Sequence, residues 1–150
     1  MPLLFGHDQD VAAWAENKLE GRLVFPHAAV GMLDKRGVLR GAFLVSFHNP
    51  HTAELTLYSE QVMTNGMWRG FFLWVFEEVG VHRLQIRTHR KHKAIKRAAP
   101  KYGFAFEGVA RDFYGPGMDS LNFYMTPAMC RWIRTNDGQL LQYTQSASTA

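Results

Sequence analysis

At 150 residues, 47% hydrophobic and 13% aromatic, the chain can bury one substantial core and is too short for two ordinary domains. No apolar run reaches the roughly 18 residues that span a bilayer, the start MPLLFGHDQD has neither the basic nor the long apolar stretch of a secretion signal, and the lone Cys130 excludes an intrachain disulfide, so a soluble, cytoplasmic, single-domain protein is expected. The formal charge of +4 points to an anionic partner without naming its kind, and much of the excess sits in one acid-free run, His82 to Arg97.

Leu3, Leu4 and Phe5 suit a short edge strand. Asp8 is a plausible N-cap for a helix from about Gln9 to Leu19, which offers Val11, Trp14 and Leu19 as an apolar face and ends at Gly21. Two runs rich in Val, Leu and Phe follow, about Leu23 to Leu33 and Val38 to Phe47. The Asp34-Lys35-Arg36-Gly37 turn between them, with Gly37 at positive φ, predicts a hairpin. After the His48-Asn49-Pro50-His51 break, Ala53 to Ser59 alternates Glu54, Thr56 and Tyr58 against Leu55, Leu57 and Ser59, as a strand with two different faces does.

From about Thr64 to Val79, Trp68, Phe71, Phe72, Val75, Phe76 and Val79 recur at spacings of three and four, and Met67, Leu73 and Trp74 make the other side apolar as well. The pattern predicts a nearly buried helix stopped by Gly80. Arg83 to Thr88 then alternates as a strand with Leu84 and Ile86 inward and Arg83, Gln85 and Arg87 outward. A helix between two such strands suggests a parallel crossover. From His92 a basic helix is expected, apolar at Ala94, Ile95, Ala98 and Ala99, limited by Pro100 and terminated at Gly103. Phe104 to Phe113 and Leu121 to Met125 read as a hairpin closed through Tyr114-Gly115-Pro116-Gly117. Thr126-Pro127 reads as the start of a last helix, and residues 136–150 as a polar tail behind a domain of residues 1–135.

This order of elements is similar to the GNAT superfamily of acyl-CoA-dependent N-acyltransferases. The run Phe76-Glu77-Glu78-Val79-Gly80-Val81-His82-Arg83-Leu84 resembles the branch that acetylates ribosomal-protein N-termini, as do Tyr102-Gly103-Phe104, Glu107-Gly108-Val109-Ala110-Arg111, and Asp119 with Tyr124. Phe5-Gly6-His7-Asp8 and Phe47-His48-Asn49 resemble small members common in bacterial and phage genomes. The resemblance implies one α/β (α+β) domain, a mixed, mostly antiparallel sheet with helices on both faces, and acetyl-CoA as cofactor.

It also implies a cofactor site. Leu57, Tyr58 and Ser59 would line the acyl-pantetheine arm, and Met63, Thr64, Asn65 and Gly66 would form the pyrophosphate loop. Glycines let backbone N–H groups approach phosphate oxygens there, and of the family's glycine pattern only Gly66 remains in Glu60 to Gly66. Thr64 and Asn65 can supply a helix cap and donors. His92 stands where many members have Asn, Ala99 stands where a frequent tyrosine acid would be, and Lys93, with Arg90, Lys91, Lys96 and Arg97, offers cations to the phosphates.

Transfer from a thioester to an amine needs an opening between strands, a base for the amine proton, and an acid for the thiolate. The opening is expected where the strand ending at Ser59 and the strand starting near His82 diverge. Glu54 and His48 compete for the base, and Tyr124 or Tyr114 is the candidate acid. The acceptor is an amine on a protein N-terminus, a lysine or a small molecule. Nucleic acid is disfavoured, because the aromatics fall at core positions rather than interleaving with the cations. No membrane partner is expected, and a homodimer or larger assembly is open. The alternative is a catalytically silent GNAT-like module, such as a component of a phage particle.

Overall fold

The computed structural model describes residues 3–19 and 27–134. Within them, β1 (Leu3–Leu4), β2 (His27–Leu33), β3 (Leu39–Asn49) and β4 (Thr52–Ser59) pair antiparallel in chain order. The β2–β3 turn is held by Asp34, whose Oδ1 accepts from the amides of Arg36 at 2.8 Å and Val38 at 3.0 Å. Gly37 takes φ +79° there, as expected. Gly41 lets β3 and β4 close up: a Cβ on it would stand 2.8 Å from the Tyr58 carbonyl oxygen. A crossover through α2 (Asn65–Leu73) leads to β5 (Arg83–His89), which lies parallel to β4. Then α3 (Lys93–Lys101), β6 (Ala105–Ala110) and β7 (Ser120–Met125) complete one seven-stranded sheet of order β1-β2-β3-β4-β5-β7-β6. The fold is a single α/β domain, mostly antiparallel, with helices on both faces.

The faces differ because the strands alternate. Ala29, Ala42 and Leu44 present a small-residue surface to α1 (Asp8–Leu19), which buries Val11, Ala12 and Ala15 against it. The other face carries Val30, Phe43, Val45, Leu55, Leu84 and Ile86 into a large aromatic core. There Phe43 stacks on Phe71 at 4.2 Å and Trp68 on Tyr102 at 4.4 Å, and Phe72 contacts Phe76, Phe104 and Trp132. Truncating such a buried ring costs about 3–5 kcal/mol.

Several local expectations are corrected. The apolar helix is α-helical only to Leu73 and continues as a π-helix over Trp74–Val79, with Gly80 N bonding Val75 O at 3.1 Å. The wider turn accompanies burial of three successive side chains, Trp74, Val75 and Phe76, more than one α-helical stripe hides. Gly80 ends it at φ +85°. Asp8 lies within α1 rather than capping it from outside, and its Oδ2 instead accepts from the Ala29 amide at 2.9 Å, tying helix to sheet. The strand after Gly103 stops at Ala110 rather than Phe113, because Asp112 at φ +55° turns the chain. After Thr126 come two 3-10 turns, Pro127–Met129 and Arg131–Ile133, instead of an α-helix. The expected helix end at Gly21, the strand start at Leu23 and the tail over 136–150 lie outside the described residues. No helix among the described residues is long and apolar enough to cross a membrane.

Candidate functional site

Strands β4 and β5 pair through only three positions, Thr52–Arg83, Ala53–Leu84 and Glu54–Gln85. Beyond them the strands part, although β3 holds β4 as far as Ser59 and β7 holds β5 as far as His89. The opening is therefore a gap inside an intact sheet. A cavity of about 270 Å³ fills it, walled by Leu55, Thr56 and Leu57 on one side and Ile86, Arg87 and Thr88 on the other. Successive strand residues point to opposite faces, so walls made of consecutive triplets mean that the space runs through the sheet. Trp68 of α2, Ile95 and Ala99 of α3, and Tyr102 just after that helix enclose it on the core side, with His92 also on its wall. Trp68 Nε1 and Arg87 Nε are buried donors without a partner among the described residues, and both residues belong to this wall. Unsatisfied buried donors are rare enough to mark a place where a polar ligand group would be accommodated.

The segment between β4 and α2 is built differently from a glycine-rich loop. Thr64 caps α2, its Oγ1 accepting from the Met67 amide at 3.1 Å, which leaves the first turn, Asn65 and Gly66, with the exposed N–H groups that every helix start has. Ser59 Oγ donates to Gln61 O at 2.7 Å and so closes the turn. Tyr58 faces α1, edge-on to Trp14 at 5.6 Å, and its hydroxyl donates to Glu60 at 2.9 Å. Glu60 is also paired with Lys18 and Arg40, and the Tyr58 hydrogen bond, then these cations, hold its carboxyl below the ordinary value. Of the residues expected around the cofactor, Leu57 and His92 line the cavity, while Tyr58, Ser59, Met63, Thr64, Asn65, Gly66 and Lys93 do not. His92 caps α3 through Nδ1, which accepts from the Ile95 amide at 3.4 Å.

On the opposite face the two competing bases are neighbours. Ser46–Glu54, Glu54–Gln85 and Gln85–Tyr124 are successive register partners, and an irregularity between Phe47 and Asn49 lies beside His48. Glu54 Oε1 takes contacts from three donors: Gln85 Nε2 at 2.9 Å, His48 Nε2 at 3.3 Å and an Arg87 terminal nitrogen at 3.4 Å. Oε2 has no hydrogen-bond partner among the described residues. Arg83 forks onto Glu107 and lies over the Tyr124 ring at 5.1 Å. The hydrogen bond from Arg83 lowers the Glu107 pKa.

The candidate acids Tyr124 and Tyr114 are not on the cavity wall, whereas Tyr102 is. Tyr114 stacks on His89 at 5.4 Å, and burial pushes its hydroxyl above the ordinary range. Tyr102 follows Ala99 by three residues, so the two share one helical face. That spacing was the available signal for a hydroxyl substituting for the missing tyrosine. Burial pushes the Cys130 thiol up to about 11, which removes it as a nucleophile at neutral pH. Among the described residues no group of His, Cys, Asp and Glu could hold a metal ion.

A mostly antiparallel sheet that splays at one parallel pair, with a helix starting beside the gap, defines the GNAT fold. No family model matches the sequence, and no curated protein is significantly similar to it. Solved structures do share the fold. A chimera of the spermidine N-acetyltransferase SpeG from Vibrio cholerae with hSSAT is 12% identical and superposes with a TM-score of 0.68, over 85% of this chain and 97% of that one. A SpeG point mutant, also from Vibrio cholerae, is 12% identical with a TM-score of 0.64, over 84% and 93%. A GCN5-related N-acetyltransferase from Brucella melitensis is 19% identical with a TM-score of 0.58, over 75% of this chain but 62% of its own length. At these identities the likeness is one of fold.

Proposed function

We propose that this protein is an N-acyltransferase moving an acetyl group from acetyl-CoA to a primary amine, with the coenzyme arm in the β4–β5 gap and the amine on the face that carries Glu54. The observation that carries the reading is the cavity in the gap between β4 and β5, apolar on the core side, one of whose wall residues, Arg87, contacts the Glu54 carboxylate. Leu57, Ile86, Ile95 and Ala99 suit an extended pantetheine chain, and the unpaired edges of β4 and β5 suit its amides. The N–H groups at Asn65 and Gly66, with Lys93 at the start of the next helix, would hold the phosphates.

When bound, the thioester supplies the activated acyl group. Glu54 Oε2 takes a proton from the amine as its nitrogen bonds the acyl carbon. The carbon–sulfur bond breaks, and the leaving sulfur takes a proton from the Tyr102 hydroxyl or from water, giving an amide and a free thiol. His48, Gln85 and Arg87 fix the carboxylate through Oε1 and leave Oε2 for the proton. Thermal unfolding with acetyl-CoA, against ATP as a charge control, tests binding, and thiol release with an amine panel tests transfer. A melting shift and thiol release with acetyl-CoA alone support the reading. Absence of both at millimolar coenzyme overturns it and leaves the alternative, a silent GNAT-fold module, which the missing loop glycines and Ala99 favour.

A further inference from the structure

We infer that the acceptor is an α-amine bearing an aromatic side chain and a carbonyl or carboxylate, either a free aromatic amino acid or a peptide that begins with one. The inference rests on the acyl-transfer reading for the location of the amine, and on a different part of the molecule for its chemistry. The β6–β7 connection carries Phe113 and Tyr114, 47% and 43% exposed, at right angles with centroids 4.9 Å apart. Tyr114 stacks on His89 and Phe113 lies against Arg87, so each ring is fixed on one side while part of its surface stays open to solvent.

This corner is rigid. Asp119, 6% exposed, accepts from the Asp112 amide at 2.9 Å and from Arg90 and Arg111 at 3.2 and 3.1 Å. Asp112 Oδ1 accepts from the Gly117 amide at 2.8 Å, and Tyr114 N donates to Met118 O at 2.9 Å. A loop with so many internal bonds presents its rings without an ordering cost on binding.

One side chain joins the ring pair to the candidate base. Arg87 links them: its guanidinium lies 4.4 Å from the Phe113 ring centre and 3.4 Å from Glu54 Oε1. An amine at Glu54 therefore has the Arg87 guanidinium beside it, and the aryl corner lies on the other side of that guanidinium. The guanidinium matches a carboxylate or carbonyl, and the corner matches an aryl group. The same charges argue against a polyamine acceptor. Glu107 is bound by Arg83 and Asp119 by two arginines, so of these three carboxylates Glu54 keeps an oxygen without a hydrogen bond among the described residues, and Arg87 beside it repels a second cation.

Calorimetric titration of the whole protein with phenylalanine, a phenylalanyl-alanine dipeptide, alanine and spermidine tests this, alone and with coenzyme A present. The aryl α-amines should bind about tenfold more tightly than alanine or spermidine, the contribution of one or two aromatic contacts, and Phe113→Ala should erase that preference. The two aryl ligands separate a free amino acid from a peptide terminus. Spermidine binding as well as phenylalanine, or a preference that survives both Phe113→Ala and Tyr114→Ala, overturns the inference. The outcomes separate from the function reading: aryl preference in a protein that shows neither a melting shift nor thiol release with acetyl-CoA would refute acyl transfer, and thiol release with no aryl preference would refute this inference alone.

Discussion

Replacing Ala99 by phenylalanine asks whether the gap in the sheet is where the coenzyme arm lies. Ala99 is 3% exposed and shares the cavity wall with Leu55, Ile86 and Tyr102. A phenyl ring placed there removes on the order of 150 Å² from water, which at about 25 cal/mol per Å² is close to ~4 kcal/mol of stabilisation. Against it stand about 1–3 kcal/mol of strain where the ring meets the wall and about 0.5 kcal/mol of lost helix propensity. The ligand-free variant should therefore melt within a few degrees of the parent. Coenzyme acts on a larger scale: at 100 times its dissociation constant acetyl-CoA stabilises by about 2.7 kcal/mol, a shift of roughly 5–10 °C for a chain of this size. Differential scanning calorimetry of both proteins with and without acetyl-CoA should show that shift in the parent and none in Ala99→Phe. A full shift in the folded variant would mean that coenzyme binds elsewhere, and the through-sheet route would be wrong.

Glu54→Gln keeps the shape and the Oε1 contacts but removes the proton acceptor, so kcat should fall by about 10²–10⁴-fold with little change in the coenzyme KM, while retention of full activity would move the base elsewhere. For Asp119, the hydrogen bond from the Asp112 amide and then the Arg111 and Arg90 charges hold the folded-state carboxyl below its ordinary value. Its stabilisation is fully present above the unfolded value of about 3.9 and is lost as pH falls through the lower folded value. Asp119→Asn should therefore flatten the acid limb of stability against pH below about pH 4, measured by urea unfolding, and an unchanged slope would refute the latch.

Much of this architecture follows from side-chain period. The alternation in β5 placed Leu84 and Ile86 in the core and Arg83, Gln85 and Arg87 on the opposite face, and Gly37 and Gly80 marked a turn and a helix end through their positive φ. The point of divergence between two strands was also legible, since a crossover helix fixes them as parallel. Register was not. Glu54 and His48 look like rivals along the chain because nothing in a single strand says which residue of its neighbour stands opposite, and their shared oxygen depends on the irregularity near His48. The change from α to π at Trp74 escapes periodicity for a related reason: a helix apolar on all sides has no phase to read. Tyr102 was hidden by its Gly-Phe context, which reads as a terminator rather than as a wall.

The gap itself carries a physical demand. From Leu55 to Ser59 and from Ile86 to His89, one edge of each strand has no strand partner across the opening, yet the walls there are buried or half-buried and mainly apolar. Backbone groups left without partners in such surroundings cost about 1–3 kcal/mol each, so a sheet that merely needed to be stable would have closed. Closing it would take only continued β4–β5 pairing, since β3 and β7 already hold the two strands along their full lengths. A ligand suited to those edges carries amides for the open strand groups and apolar stretches for the walls. A hydrocarbon lacks the amides and a nucleotide lacks the apolar chain. On the proposed acyl-transfer reading, a pantetheine arm would meet that demand, its amides facing the open edges and its short apolar stretches facing Leu55 and Ile86.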